Sequence, residues 1–502
     1  SLAVAGVAGL GLTLLLSVVV RSREKGSLLA VGFIMLFVSY GHVYDQIEGV
    51  SLGGVMIGRH RYLLAVWGLA ALAWTASLIR RRGAPRGLSA GLQAAGVALV
   101  AMPLLTIGRH WWSGMATARG AGHGRIEVSG LVSGAEEEYP DIFYIILDGY
   151  GRSDVLRDLY GVDNTEFLEF LESRGFYVAE ESASNYSQTV LSLASSLNMR
   201  YLDDEAQQEG PRSANIDRLD DEIAHSLVRG TLATLGYRFV AFETGYAHTE
   251  VPDADLYFVP QYYAFEDKVS LFTALRLNEF ESLLLDTTMV KAAEEYFSRV
   301  QQEVRQLTDF LYQKHRTRVL FTLESLPEIA AMPGHYFVFA HVISPHPPFV
   351  FGALGEEIVN TEPYSLRDHS CCTRDVYRKL YADQLTYVTL LVERTVDEIL
   401  AQSAGKAIVI LQADHGPGSG IIPQSPLESD VRERLSILNA YRVPEEARRM
   451  LYGTITPVNT FRLILSSCFG YDLDLLPDES YFSPPGRPYF LTRATGDVRV
   501  RE

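Results

Sequence analysis

Two short apolar runs, widely separated in the chain, each end in aspartate and glycine residues. Residues 407–411 read Ala-Ile-Val-Ile-Leu and give way to Gln-Ala-Asp-His-Gly, which contains Asp414 and His415. Residues 142–147 form the second run, which ends in Asp148 and a glycine. Such runs are typical of strands buried on both faces of a parallel sheet. The carboxyl ends of these strands share one sheet edge, where ligands bind. We therefore predict an α/β domain with its functional residues at that edge.

Asp414 and His415 together offer a carboxylate oxygen and an imidazole nitrogen. Zinc and manganese accept ligands of both kinds. An Asp-His-Gly sequence after a strand can also be a simple turn whose aspartate caps the next helix. The second strand ending in Asp148 favours the metal site, because a metal on a parallel sheet needs ligands from more than one strand.

Ser187 and Thr189 lie where a helix is predicted to begin. From about residue 188 onwards, small and apolar residues recur at helical spacing. A hydroxyl at a helix N-terminus lies against unpaired N–H groups and the positive end of the helix dipole, which favours an anionic group such as phosphate. Ser187 could also be only the N-cap of the helix, and the two roles are compatible.

His341 and His346 lie at the end of a further predicted strand, residues 336–342. A lone histidine in such a place is usually structural, but two of them near the other candidate ligands favour a part in the site. His346 is the stronger candidate, because burial within the strand is the simpler explanation of His341.

Four landmarks between residue 139 and the C-terminus occur in the order found in the alkaline phosphatase superfamily. They are Asp148, the Ser187 region, the His341/His346 segment, and Asp414 with His415. The chain thereby resembles the sulfatase-like membrane branch of that superfamily, which includes lipoteichoic acid synthases and phosphoethanolamine transferases. The resemblance implies an α/β alkaline phosphatase-like domain whose mostly parallel central sheet is sandwiched by helices.

The resemblance also implies roles for individual residues. The implied metal ligands are Asp148, Ser187, Asp414 and His415. They would bind one divalent ion, manganese or zinc, with magnesium or calcium as alternatives. Ser187 would be the nucleophile, with Thr189 as the second choice. His346 would orient or protonate the leaving group, and His341 and His346 would contact the substrate.

The implied function is a membrane-bound, metal-dependent phosphotransferase. It would pass a lipid headgroup from a phosphodiester to a glycan or lipid acceptor through a serine-linked phospho-enzyme. Sulfatases carry proline and arginine soon after the residue that becomes formylglycine, and residues 187–191, Ser-Gln-Thr-Val-Leu, contain neither. The alternatives are a metal-dependent hydrolase, either phosphodiesterase or sulfatase, and a catalytically silent membrane protein used for binding or assembly.

Four apolar runs occupy residues 1–112, and each is close to the length that crosses a bilayer. They are residues 2–20, 28–47, 62–79 and 88–108. Buried helices of a soluble core are the alternative, which four such runs separated by charged breaks disfavour. The chain starts at Ser1 inside an apolar run, so we expect an upstream segment, with a further span, to have been removed.

Basic residues place the first and third connections in the cytoplasm, including Arg21 and Arg23 in the first and Arg80 and Arg82 in the third. Residues 113–138, rich in glycine, alanine and serine, are predicted to be a linker. Residues 139–502 would then form an extracytoplasmic catalytic domain of a multi-pass cell-membrane protein.

The formal net charge of −17 disfavours nucleic acid as a partner, because the chain offers no concentrated basic face to phosphates. The predicted partners are the bilayer, a phospholipid-like donor, and a glycan or lipid acceptor. Cysteines 371, 372 and 468 fall in the part predicted to be extracytoplasmic, where one of the adjacent pair could form a disulfide with Cys468.

Overall fold

The structure is a computed structural model that describes residues 2–47, 51–52, 55–56, 60–81, 139–262, 298–360, 362, 364–368, 372–422 and 429–496. The chain divides into two compact units. One comprises Ser1–Arg125 with Phe265–Leu307, and the other comprises Ile126–Ala264 with Thr308–Glu502.

The first unit contains three apolar helices in its described part. They are α1 (Leu2–Val19), α2 (Arg23–Ile47) and α3 (His60–Arg80), with a two-stranded hairpin of β1 (Ser51–Leu52) and β2 (Val55–Met56) between the last two. Two stretches, Arg23–Gly41 and Tyr62–Arg80, are long and apolar enough to cross a membrane, and Gly9–Val19 is a shorter apolar helix. The predicted span at 88–108 and the linker at 113–138 lie outside the described residues.

Small residues allow the helices of this unit to pack closely. A side chain at Gly32 of α2 would come within 2.4 Å of the Trp74 indole of α3. The Trp74 Nε1–H donates to the Leu28 carbonyl at 3.2 Å. Close backbone approach at small residues is the usual way in which apolar helices associate in a membrane.

The second unit is built on one sheet, which in its described part has seven strands. They are β3 (Ile142–Leu147), β4 (Tyr177–Val178), β5 (Arg238–Phe242), β6 (Leu256–Phe258), β7 (Tyr336–Val342), β8 (Ile408–Gln412) and β9 (Asn439–Arg442), in the spatial order β4-β9-β8-β3-β7-β5-β6. β8, β3, β7, β5 and β6 are parallel, and β9 runs antiparallel to both of its neighbours. A further pair, β10 (Tyr481–Phe482) and β11 (Thr492–Arg493), is antiparallel.

Helices cover both faces of this sheet. They are α4 (Ser153–Val155) with a π-helix (Leu156–Tyr160), α5 (Thr165–Ser173), α6 (Thr189–Asn198), α7 (Asp203–Glu209), α8 (Asp217–Ala224), α9 (Leu227–Thr234), a 3₁₀ turn (Ala247–Thr249), α10 (Ser298–Ala330, in this unit from Thr308 onwards), α11 (Arg374–Gln402), α12 (Val431–Leu435), α13 (Glu445–Arg448) and α14 (Pro457–Phe469). The predicted sandwich of helices around a mostly parallel sheet is confirmed.

Alternate residues of β3 face opposite layers of the core, as a strand buried on both faces requires. Phe143 lies in the cluster that contains Leu323 of α10 and residues of α11. Tyr144 lies in the other cluster, with Leu193 of α6 and Phe461 of α14. The central strand is therefore fixed from both sides, and the residue that follows it has a well-defined position.

Local capping sets the start of two helices. The Ser226 side chain accepts from Arg229 N and starts α9 separately from α8. The Asp430 side chain accepts from Glu433 N and starts α12, and β9 begins after this helix, at Asn439. Cys468 is a free thiol and Cys372 is disulfide-bonded, so the suggested disulfide to Cys468 is wrong.

Candidate active site

The candidate ligands come together at the carboxyl edge of the three central strands. Leu147 of β3 is level with Val342 of β7, and Ile146 is level with both His341 of β7 and Gln412 of β8. Asp148, which follows β3, therefore lies beside His341 and close to the pair that follows β8. All of these side chains are buried: Asp148, His341, Asp414 and His415 are between 1% and 3% exposed.

The turn after β3 also places His346. Gly149 has φ of +75°, and a side chain there would press on the His346 Cβ at 3.3 Å. His346 N donates to the Asp148 carbonyl at 2.9 Å. Glycine is the residue that adopts this backbone conformation without strain. The turn thus packs directly against the His346 segment.

Asp148 is the centre of a cluster of potential metal ligands. Its Oδ2 lies 3.3 Å from His341 Nε2, and its Oδ1 lies 3.5 Å from His415 Nε2. Two groups could each hold a cation with ligand atoms within 4.8 Å of one another: Asp148, His346 and His415, and Asp148, His341 and Asp414. The structure thus brings together Asp148, Asp414 and His415 of the predicted ligand set.

Three buried polar atoms in this cluster make no hydrogen bond: Asp148 Oδ1, Asp414 Oδ2 and His341 Nε2. Buried polar atoms are nearly always hydrogen-bonded, so three such atoms at one place require an explanation. A divalent cation would satisfy them. Carboxylates, imidazole and a nearby hydroxyl are ligands that zinc and manganese accept, and the residues present therefore fit a metal ion.

His415 is held in the form that ligates a metal. Its Nδ1–H donates to the Gly416 carbonyl at 3.0 Å, which leaves the Nε2 lone pair facing the cluster. Burial and the neighbouring Arg434 lower the pKa of His415, which keeps the ring neutral. The pKa of Asp148 is also lowered, and this keeps the carboxylate charged. Burial would raise its pKa, but His346, His341 and His415 hold it below its ordinary value.

The hydroxyl that faces the cluster is that of Thr189, not that of Ser187. Thr189 is the first residue of α6, and its Oγ1 lies 3.1 Å from His415 Nε2. Ser187 Oγ instead donates to the Ser483 carbonyl at 3.2 Å and accepts from Ser483 N at 3.0 Å. The preference for Ser187 as nucleophile and ligand is not supported by this geometry, because its hydroxyl is engaged by the C-terminal segment.

His346 reaches the cluster from the segment that follows β7. Its Nδ1–H donates to the Pro347 carbonyl at 2.6 Å, and its Nε2 lies 3.3 Å from Asp368 Oδ1. Burial opposes a charge on the ring, but the carboxylates of Asp148 and Asp368 outweigh it and raise the pKa of His346 to about 9. The raised pKa favours the protonated ring, which is the form that can donate a proton.

His341 lies within β7 and is buried. Its Nδ1 lies 2.9 Å from Thr249 Oγ1, and this contact turns Nε2 toward Asp148. The side chain belongs to the ligand cluster, whereas a residue that contacts substrate would be expected to line the main cavity.

Two charged residues that the sequence did not single out complete the site. Arg434 of α12 pairs with Asp368 through Nη1 and Oδ2 at 3.0 Å. Burial would raise the pKa of Asp368, but Arg434 and His346 hold it well below its usual range. Neither residue belongs to a motif, and both reach the site from segments without a strand end, so no local sequence signal marks them.

A cavity of about 630 Å³ opens at this edge of the sheet. Its lining includes the polar residues Thr189, His346 and Arg434 and the apolar residues Ile343 and Leu366. Sites of this volume accept small molecules or the headgroup of a larger one.

A scan against protein-family models gives no match, and no curated protein matches the chain. Solved structures do match. The C-terminal periplasmic domain of EptC from Escherichia coli, in complex with zinc, is 11% identical, with 71% of this chain and 93% of that chain covered and a TM-score of 0.42. The integral membrane lipooligosaccharide phosphoethanolamine transferase A from Neisseria meningitidis is 12% identical, with coverage of 88% and 82% and a TM-score of 0.38.

A putative sulfatase from Bacteroides thetaiotaomicron is 14% identical, with coverage of 70% and 75% and a TM-score of 0.40. Phosphoethanolamine transferases and sulfatases are the kinds of protein that the sequence landmarks resemble. Identities of 11% to 14% leave the function to be argued from the residues of the site itself.

Proposed function

We propose that the chain is a metal-dependent phosphotransferase that acts on a phosphodiester at a membrane through a phospho-enzyme on Thr189. The observation that carries the proposal is the position of the Thr189 hydroxyl. It opens helix α6 and lies 3.1 Å from His415 Nε2, beside the buried Asp148 and Asp414 oxygens that make no hydrogen bond.

The residues that would hold the ion are Asp148, Asp414 and His415, with Thr189 as the hydroxyl ligand and His341 beside them. A divalent ion bound there would act as a Lewis acid and lower the pKa of the hydroxyl. The N-terminus of α6 favours negative charge at the same place, because its first N–H groups are unpaired and its dipole is positive there.

The chain's own residues then account for a double displacement. Thr189 Oγ1, after losing its proton to water, forms a bond to phosphorus, and the bond from phosphorus to the leaving alcohol breaks. His346, which also lines the cavity, donates its proton to the departing oxygen. In the second half, the neutral His346 takes the proton of an acceptor alcohol, whose oxygen attacks phosphorus. The bond from phosphorus to Thr189 Oγ1 breaks, and this oxygen regains a proton from water.

The apolar helices of the first unit support a lipid-borne donor. We infer a phospholipid-like donor, a glycan or lipid acceptor, and a multi-pass cell-membrane protein whose catalytic unit lies outside the cytoplasm. Water in place of the acceptor would make the same site a phosphodiesterase. A sulfatase is less well supported, because Thr189 is not a residue that can be converted to formylglycine.

Intact-mass analysis of the full chain in detergent, with added manganese or zinc, tests the covalent step. Phosphatidylglycerol and phosphatidylethanolamine serve as donors, each with a labelled headgroup. We expect an adduct of one headgroup phosphate on wild type and on Ser187→Ala, and none on Thr189→Ala. Label passed to an added glycan or lipid indicates a transferase, and label released to water indicates a hydrolase. An adduct that persists in Thr189→Ala would overturn the proposal.

A further inference from the structure

Arg434 enters the site from the short helix α12 and is almost fully enclosed. Its Nε–H donates to the Ser187 carbonyl at 2.8 Å, and Nη1 donates to the Gly416 carbonyl at 3.3 Å and to Asp368 Oδ2 at 3.0 Å. A guanidinium buried at this depth is held by several acceptors at once, so its orientation is fixed before substrate arrives.

The remaining nitrogen of Arg434 lies beside the same histidine nitrogen as the reacting hydroxyl. Nη2 lies 3.1 Å from His415 Nε2, the atom that Thr189 Oγ1 also approaches to 3.1 Å. Because both atoms lie 3.1 Å from His415 Nε2, the distance between Nη2 and Thr189 Oγ1 is at most twice 3.1 Å. A phosphorus atom bonded to Thr189 would place its oxygens within hydrogen-bonding reach of Nη2. With the His415 lone pair engaged by a metal ion, Nη2 has no acceptor there and is available to a phosphoryl oxygen.

Asp368 links this guanidinium to His346. Its Oδ2 accepts from Arg434 Nη1, and its Oδ1 lies 3.3 Å from His346 Nε2. Tyr377 donates its hydroxyl to Oδ1 at 3.0 Å and fixes the carboxylate. One carboxylate therefore sets the distance between the Arg434 guanidinium and the His346 imidazole, both of which line the cavity.

We propose that Arg434 binds the phosphoryl group transferred to Thr189, and that Asp368 is the positioning residue that aligns Arg434 with His346. The inference rests on the proposed function. Negative charge increases on the non-bridging phosphoryl oxygens while the Thr189 oxygen bonds to phosphorus and the leaving oxygen departs. A preoriented guanidinium at those oxygens stabilises that charge, whereas His346 serves the departing oxygen.

The test uses the full chain in detergent with bis(4-nitrophenyl) phosphate. Because 4-nitrophenolate leaves without protonation, its release reports phosphoryl binding and not proton donation by His346. We expect Arg434→Ala to lower kcat/KM by about 100- to 1,000-fold, and free guanidinium chloride to restore at least a tenth of the loss. Arg434→Lys should be intermediate, and it keeps the test valid if the alanine variant does not fold.

A binding measurement separates this role from a structural one. Metal content and thermal midpoint should stay close to wild type in Arg434→Lys, while the dissociation constant of inorganic phosphate rises at least tenfold by calorimetry. The matched control is Arg432→Gln, which removes a guanidinium from the same helix. Arg432 pairs with Asp154 and Asp158, none of which lines the cavity, and we expect wild-type kinetics from its variant.

Asp368→Asn should lower the rate with bis(4-nitrophenyl) phosphate, because Arg434 is then misaligned. The rate with a dialkyl phosphodiester should fall further, because that leaving group also needs His346 in position. Wild-type rates and phosphate affinity in Arg434→Ala, with an inactive Thr189→Ala, would overturn the inference and leave the proposed function intact. Equal rates in wild type and Thr189→Ala would overturn the proposed function itself.

Discussion

A difference of two residues decides which hydroxyl is chemically competent. Ser187 and Thr189 are both near the start of α6, but a hydroxyl two positions before the helix has a different surrounding from one on its first residue. Ser187 exchanges two hydrogen bonds with the Ser483 backbone, whereas Thr189 faces His415. The contact that occupies Ser187 comes from a residue almost 300 positions away, so local sequence spacing could not reveal it.

The position of His346 predicts a dependence on the leaving group. We expect His346→Gln to slow the transfer from a dialkyl phosphodiester by about 100-fold, because the departing alkoxide then lacks its proton donor. Release of 4-nitrophenolate should slow by less than tenfold. Steady-state rates with the two substrates provide the measurement, and equal slowing with both would show that His346 does not act on the leaving group.

Asp141, just before β3, gives a prediction for stability against pH. Burial raises its pKa from 3.8 to about 6, although Tyr336 N donates to it and His335 lies nearby. The folded state therefore binds a proton more tightly than the unfolded state, and stability falls as the pH rises from about 4 to about 6. After allowance for solvent screening, the loss is on the order of 1–2 kcal/mol.

Asp141→Asn keeps the acceptor for Tyr336 N but removes the buried charge. Its free energy of unfolding should exceed that of wild type at pH 7 and match it at pH 4. Urea unfolding at several pH values measures this. Asp472→Asn, at an exposed carboxylate, serves as the control and should keep the wild-type slope. An unchanged slope in Asp141→Asn would contradict the assignment.

At the scale of elements, the site depends on α12 although this helix is very short. It has five residues, and its N-cap Asp430 accepts from Glu433 N at 3.0 Å. Arg434 lies at its end. A helix this short has few hydrogen bonds of its own, so we infer that the cap holds the guanidinium in position.

Removal of two helix caps should therefore have unequal effects on activity. Asp430→Ala and Ser226→Ala should each cost about 1 kcal/mol of stability, the usual effect of losing an N-cap. Only Asp430→Ala should also lower kcat/KM, because Ser226 caps α9, which carries none of the proposed site residues. Chemical denaturation and steady-state kinetics on both variants test this. Equal kinetic effects would show that α12 does not need its cap.

The features that the sequence predicts best are the buried strands and the residues that directly follow them. The runs that became β3, β7 and β8 are buried on both faces, so their apolar composition marks them, and the residues that follow them had to meet at one edge. Arg434 and Asp368 could not be found in this way. Their importance arises from a mutual contact across 66 positions, and neither lies next to an apolar run.

At the scale of the whole molecule, the ligand cluster links metal binding to folding. Asp148 and Asp414 each bury an oxygen that makes no hydrogen bond, and a bound ion compensates the cost of that burial. An ion at 100 times its dissociation constant adds about 2.7 kcal/mol of stability. A chelator should therefore lower the thermal midpoint, and manganese or zinc should restore it.

Calorimetry with elemental analysis tests this dependence. Asp148→Asn and Asp414→Asn should contain no stoichiometric metal and should not respond to a chelator. Asp154→Asn is the matched control, because its carboxylate pairs with Arg152 and Arg432 and not with the cluster. A wild-type protein without metal, and with a midpoint that a chelator does not change, would rule out the metal site.

The topology of the chain gives the last prediction. Basic residues around Arg21 should remain in the cytoplasm, and the catalytic unit should then lie on the other side of the membrane. Ser22→Cys and Ser173→Cys, each in a Cys468→Ser background, place one thiol in the first connection and one on the exposed surface of α5. In spheroplasts of a bacterial host, a membrane-impermeant maleimide should label Ser173→Cys at once and Ser22→Cys only after permeabilisation. The reverse pattern would place the catalytic unit in the cytoplasm, where it would meet only lipid headgroups of the inner leaflet.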